Sequence, residues 1–204
     1  HLTSLWKTTK NGMGESKSML YEKIKEYIPC CEQEENDSRL MLSFMDNCNN
    51  YLLRDNTVAH FTASSWIVNK DRTKVLMIYH NIYDSWAWTG GHADGEENLL
   101  HTAIKEAVEE TGIKHIRPVS ENIFSIEVLT VDGHIKRGKY VSSHLHLNVT
   151  YLLEADENDE LHIKADENKG VAWFDVKTAM EKVSEPWMRK NIYEKLIKKV
   201  GELK

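Results

Sequence analysis

The spacing of apolar and polar positions changes character near residue 60. Before it, Leu20, Ile24, Tyr27 and Ile28 recur at helical intervals within Ser18 to Ile28, and Pro29 closes the run. A polar stretch from Glu32 to Ser38 follows. Leu40, Met41, Phe44, Met45, Cys48 and Leu52 then repeat at intervals of three and four. The pattern predicts two amphipathic helices packed on a larger body. From His60 the period is that of strands. Phe61 to Val68 and Val75 to Tyr79 form a predicted pair across the turn Asn69-Lys70-Asp71-Arg72, and a short aromatic strand covers Trp86–Trp88. A Gly-rich loop then leads into one strong helix over about Glu97 to Thr111, which Gly112 ends. Strand patterns return at Ile123–Val131, Val141–Leu153 and Val171–Phe174, and an amphipathic helix over about Trp187 to Val200 closes the chain. Antiparallel strands with few helices predict an α+β sandwich. The division expected is an N-terminal helical extension over 1–57 and a main domain over 58–204.

Composition narrows the class. With 204 residues, 41% of them hydrophobic, the chain can bury one ordinary core with an appendage, but not two large domains. The net charge of −6 is spread among interspersed acids and bases, which argues against a nucleic-acid partner. No apolar run approaches membrane-spanning length and no signal-peptide pattern opens the sequence, so no membrane partner is expected. Cys30, Cys31 and Cys48 are odd in number, two are adjacent, and none has CxxC spacing. They predict neither a disulfide framework nor a structural zinc, and they point to the cytoplasm. The chain opens on His1-Leu2, so residues 1–12 also admit a reading as a vector-derived remnant with Met13 as the start.

The stretch with the most chemistry runs from Gly90-Gly91-His92 to Gly112-Ile113. On its helix, Leu100, Ile104, Ala107, Val108 and Thr111 fall on one side, and Glu106, Glu109 and Glu110 fall opposite. Carboxylates three and four residues apart repel by a few tenths of a kcal/mol. They also sit in the half of the helix where the dipole disfavours negative charge. Water or a cation must neutralise them, and all-oxygen ligands suit Mg²⁺ or Mn²⁺. Taken alone, such a face is more often merely solvated.

The wider pattern favours the cation. Gly91, Glu97, Glu106, Glu109, Glu110, Gly112 and Ile113 stand in register with the signature of the Nudix hydrolases, which this stretch resembles. Two positions depart from it: Lys105 replaces Arg and Ala107 replaces a larger aliphatic residue. Lysine keeps the charge but loses the planar fork that orients a carboxylate, so the change bears on rate more than on metal binding. The resemblance covers about residues 58 to 180. It implies a Nudix-type α/β/α sandwich with a mixed sheet, and magnesium-dependent hydrolysis of a diphosphate linkage in a nucleoside diphosphate derivative or related small phosphorylated compound. It further implies Glu106, Glu109 and Glu110, with help from Glu97, as ligands of Mg²⁺ or Mn²⁺. Catalytic roles fall to Glu106 as first choice of general base, to Glu110, and to Lys105. Asp166 and Glu167, ahead of the last strand, are the alternative bases. A small-molecule diphosphate substrate is implied, and homodimers are frequent in the fold.

Further substrate contacts are expected from Gly91, whose loop could let backbone approach phosphate, and from His92. The basic loop His134-Ile135-Lys136-Arg137-Gly138-Lys139 offers Arg137 and Lys139 for phosphate, against the plainer reading of a solvated hairpin. His144, His146, Asn148 and Thr150 share one face of a strand, and a polar face inside a sandwich points to a cleft. A His-x-His transition-metal pair is the weaker reading there, since no further ligand spacing supports it. Trp86 and Trp88 could stack on a base, though core packing is the commoner role. Rival functions are a Nudix-fold module that binds nucleotide without cutting it and an isopentenyl-diphosphate-isomerase-like enzyme. The retained glutamates oppose the first, and the lack of a cysteine near the motif opposes the second. The substrate itself is not marked by any subfamily pattern downstream.

Overall fold

The computed structural model describes residues 17–136 and 138–203. Helix α1 spans Met19–Glu26, with the Ser18 hydroxyl accepting from the Tyr21 amide at its start. Helix α2 spans Glu32–Asn47 and so includes the polar stretch Glu32 to Ser38. Its first turn carries Glu32, Glu34 and Glu35, where the positive end of the helix dipole favours acids. Polarity there marks a helix start.

Ten strands follow the expected order with four additions. They are β1 Ala59–Val68, β2 Lys74–His80, β3 Ser85–Ala87, β4 Thr89–His92, β5 Ile116–Pro118, β6 Ser125–Val131, β7 His134–Lys136, β8 Lys139–Val141, β9 His144–Ala155 and β10 Asn168–Asp175. The main sheet runs β10-β2-β1-β9-β5, with β3 on β2, β4 on β1 and β6 on β9. β1 is parallel to β9 over its whole length and antiparallel to β2 and β4, which makes the sheet mixed. The short β4 and β5 were not legible as separate strands, whereas the β7–β8 hairpin is the plainer reading of the basic loop. Gly90 and Gly91 belong to β4, opposite Ser64 and Ala63, and not to a loop. Glycine is needed at Gly90 because a Cβ there would stand 2.6 Å from the Ala63 carbonyl oxygen.

Helix α3 spans Leu99–Thr111, and Gly112 ends it in the left-handed region at φ 73°. It packs on one face of the sheet, where Phe61, Ala63 and Ile67 meet Leu147, Val149 and Tyr151. Ala103 and Ala107 let the helix approach closely, and Leu20, Ile24 and Met41 of the N-terminal helices join the same core. Helices α4 (Pro186–Met188) and α5 (Glu194–Glu202), joined by a π turn at Arg189–Tyr193, cover the opposite face. There Ile192, Tyr193 and Leu196 pack on Trp66, Val75, Met77 and Leu152. Trp88 stands edge-on to Tyr193, and Trp86 edge-on to Tyr79 and Phe174, so both tryptophans are packing residues.

Under α5 lies an ionic network built on two buried carboxylates. Glu34 and Glu127 are both fully buried. Lys195 Nζ sits 3.1 Å from Glu34 and 3.2 Å from Glu127, and Lys199 Nζ 3.0 Å from Glu34. Tyr27, Ser125 and Thr150 donate to the same carboxylates. Each buried oxygen is satisfied, as burial of charge requires. The network fastens α2 to α5 across the sheet.

Candidate active site

The helical wheel placed Val108 inward and Glu110 outward; the structure reverses them. Val108 is 39% exposed, whereas Glu110 is 2% exposed. The cause is position: α3 packs on β4 as well as on β1 and β9, so the side that carries Glu110 is covered too. Glu110 Oε2 accepts the Gly90 amide of β4 at 2.9 Å. Burial drives the Glu110 carboxyl up to about 8; the Gly90 amide opposes this, and the negative charges of Glu106 and Glu167 add to it. Among the described residues Glu110 has no ion pair.

Glu106, one turn earlier, lies against Gly91. A Cβ on Gly91 would stand 2.5 Å from the Glu106 carboxyl carbon, so this glycine is required for close approach and not for a turn. Glu106 is also raised, first by burial and then by Glu109, against the pull of Lys105. Glu109 is more open. Lys164 Nζ lies 3.2 Å from it and 3.1 Å from Glu167. Lys105 Nζ stands 3.5 Å from Glu106 and 3.6 Å from Glu109, loosely spanning the two. The loop before β10 is docked here by Asn168, whose side-chain amide donates to the Glu110 carbonyl at 3.0 Å. Three carboxylates on the C-terminal half of one short helix, and Glu167 from the loop before β10, therefore gather with two lysines among them.

A model of the NUDIX domain matches residues 59–196. The chain belongs to the NUDIX family. It is similar to a probable DHNTP pyrophosphohydrolase of Lactococcus lactis subsp. cremoris, 28% identical over 144 residues, covering 69% of this chain and 80% of that one. A NUDIX family hydrolase from Clostridium perfringens shares the fold at 21% identity, with a TM-score of 0.51, covering 71% of this chain and 98% of that one. A Nudix hydrolase from M. smegmatis does so at 13% identity and the same TM-score, covering 71% and 88%. The chain is thus a Nudix hydrolase with the α+β mixed-sheet architecture of its family.

Within that Nudix frame the other expected residues divide. Glu97 is exposed ahead of α3, and no described contact joins it to the other three glutamates. Of the two alternative bases, Glu167 faces the cluster, while Asp166 is exposed with no described partner. Lys139 is exposed opposite Lys136 in the β7–β8 hairpin. Arg137 lies outside the described residues, as do residues 1–12 with Met13. Asn148 lines no cleft: it is 1% exposed and bonded to Thr62, Ser64, Glu127 and Thr150. His92, His144 and His146 converge with His60, a residue that sequence reasoning had not singled out. Lys164 was missed as well, since one lysine in a polar loop carries no spacing signal.

Proposed function

We propose that this Nudix hydrolase cuts a diphosphate linkage in a nucleotide-like substrate, with Mg²⁺ held by Glu106, Glu109 and Glu110. One observation carries the reading: Glu110 is buried without a counter-ion and holds its proton up to about 8, a costly state that a cation relieves. The donors are all oxygens and keep a lysine at their open edge, which fits a hard ion that shares its shell with phosphate. Manganese satisfies the same donor set. Glu97, exposed nearby, is the additional ligand we assign. When bound, the ion neutralises phosphate oxygens and makes water a better acid.

The rest falls to the chain. Glu106, beside Gly91 and already raised by burial, takes the proton of the attacking water; Glu167 is the alternative acceptor. Lys105 and Lys164 hold the carboxylates apart and offer positive charge to phosphate. The Gly91 main chain, Lys139 and Arg137 complete the phosphate contacts we assign. The family match over 59–196 supports reading 58–204 as the catalytic unit and 1–57 as an extension that seals it. Free Cys30, Cys31 and Cys48 agree with a cytoplasmic protein, and no described helix is long and apolar enough to cross a membrane. We take DHNTP and related triphosphates as the first substrates to try, on the likeness to a probable DHNTP pyrophosphohydrolase.

The test is a turnover screen of such triphosphates, nucleotide sugars and dinucleotides. With Mg²⁺ at least one class is cleaved, and chelation or Glu109→Gln removes the activity. Cleavage indifferent to both would overturn the assignment.

A further inference from the structure

Four imidazoles from three strands meet at one end of the sheet, away from the carboxylates of α3: His60 on β1, His92 on β4, and His144 and His146 on β9. Strand register brings them together, since His60 stands opposite His146, and Thr62 opposite His92. Ring centroids of His60 lie 5.2, 5.0 and 5.1 Å from those of His92, His144 and His146. One ring nitrogen each of His60, His92 and His146 falls within 4.8 Å of the others.

Hydrogen bonds fix which nitrogens are bare. His60 Nδ1 lies 2.9 Å from the Asn56 carbonyl oxygen, which can only accept, so Nδ1 carries the proton and Nε2 presents a lone pair. That Nε2 is buried with no partner, on a residue 4% exposed. An orphan acceptor there is costly unless something fills its lone pair. His144 is held the same way at Nδ1, 2.8 Å from the Ser142 carbonyl, so its Nε2 is the acceptor of the hydrogen bond it shares with His146. This Nε2 stands 3.2 Å from His146 Nε2. Zinc–imidazole bonds of about 2.0–2.1 Å give a tetrahedral edge of about 3.3–3.4 Å. A carbonyl behind the far ring nitrogen is the usual support of a metal-bound histidine. Burial keeps His92 down at about 3 and His146 at about 2, so both are neutral, as ligands must be. Neutral rings supply no charge for an anion, and the nearby Arg54 is already engaged by both oxygens of Asp94.

We propose that His60, His92 and His146, with His144 as fourth ligand, form a site for a borderline divalent transition ion of the Zn²⁺ type, separate from the glutamate cluster on α3. Magnesium, which takes oxygen ligands, is not its ion. The site ties β4, and so Gly91, to β1 and β9, and it stands independently of the hydrolytic reading.

Co²⁺ titration of the full chain after chelator treatment, followed by visible absorption, tests it. The expected result is a saturable, intense tetrahedral spectrum at one equivalent, displaced by Zn²⁺ and unchanged in Glu109→Gln. His146→Gln and the half-buried His92→Gln should each weaken Co²⁺ binding by at least about tenfold, with circular dichroism showing both folded; His60→Gln adds the orphan nitrogen itself. A weak octahedral spectrum, equal binding by the histidine variants, or loss confined to Glu109→Gln would overturn the site.

Discussion

Glu34 and Glu110 are both carboxylates withdrawn from water, yet the fold treats them in opposite ways. Around Glu34 stand Lys195, Lys199, the Tyr27 hydroxyl and the Cys30 amide. Burial pushes Glu34 up, but these partners outweigh it and bring the carboxyl down to about 2. Around Glu110 there are one amide donor, two negative neighbours and the pull of Lys164 without an ion pair, and burial raises the carboxyl to about 8. The first group is a finished ion pair that holds α2 to α5. The second lacks a positive partner, which an incoming cation would supply. Burial alone does not separate a structural acid from a functional one; the completeness of its partners does.

Removing one partner from each group separates them. Glu34→Ala leaves two partly buried lysines short of a partner and should cost about 3–5 kcal/mol in denaturant unfolding, with turnover per folded molecule intact. Glu110→Gln keeps an acceptor for Gly90 and should leave stability at pH 5 near wild type, while Mg²⁺-dependent turnover falls at least about 100-fold, or about 2.7 kcal/mol. If Glu34→Ala abolished turnover in folded protein, or Glu110→Gln unfolded the chain, the contrast would fail.

The pH dependence should differ in sign. Glu34 is depressed, so its stabilisation is present above the ordinary carboxylate value of 4.5 and is lost as pH falls toward about 2. Glu110 is raised, so its contribution is full below 4.5 and is lost as pH rises through about 8. Unfolding of metal-free protein between pH 5 and about 8 should therefore show a declining component that Glu110→Gln removes. The smallest effect is expected at Lys164, whose Nζ lies against Glu109 and Glu167. Lys164→Met should tighten Mg²⁺ by only about two- to threefold, as for a half-open ion pair; weaker binding would mean that the lysine organises the site instead of competing there.

Much of this contrast could not be read along the chain. Helix α3, its end at Gly112 and the spaced glutamates are local, so periodicity and motif exposed them. The inward turn of Glu110 is not local: it depends on β4 crossing the helix, and the wheel counted only one covered side. Gly90 and Gly91 read as flexible when their role is to leave room for Ala63 and Glu106. His60 and His146 are neighbours only through a parallel pairing across 86 positions, a register that no single strand announces. Lys195 and Glu34 meet across the whole chain. Sequence reasoning found what short range encodes, and missed partners set by topology.

The most direct test follows the Glu110 carboxyl carbon by ¹³C NMR through a pH titration, with and without Mg²⁺. The account predicts a midpoint near 8 in metal-free protein that Mg²⁺ moves well below neutrality. A midpoint at an ordinary glutamate value, unmoved by Mg²⁺, would contradict it.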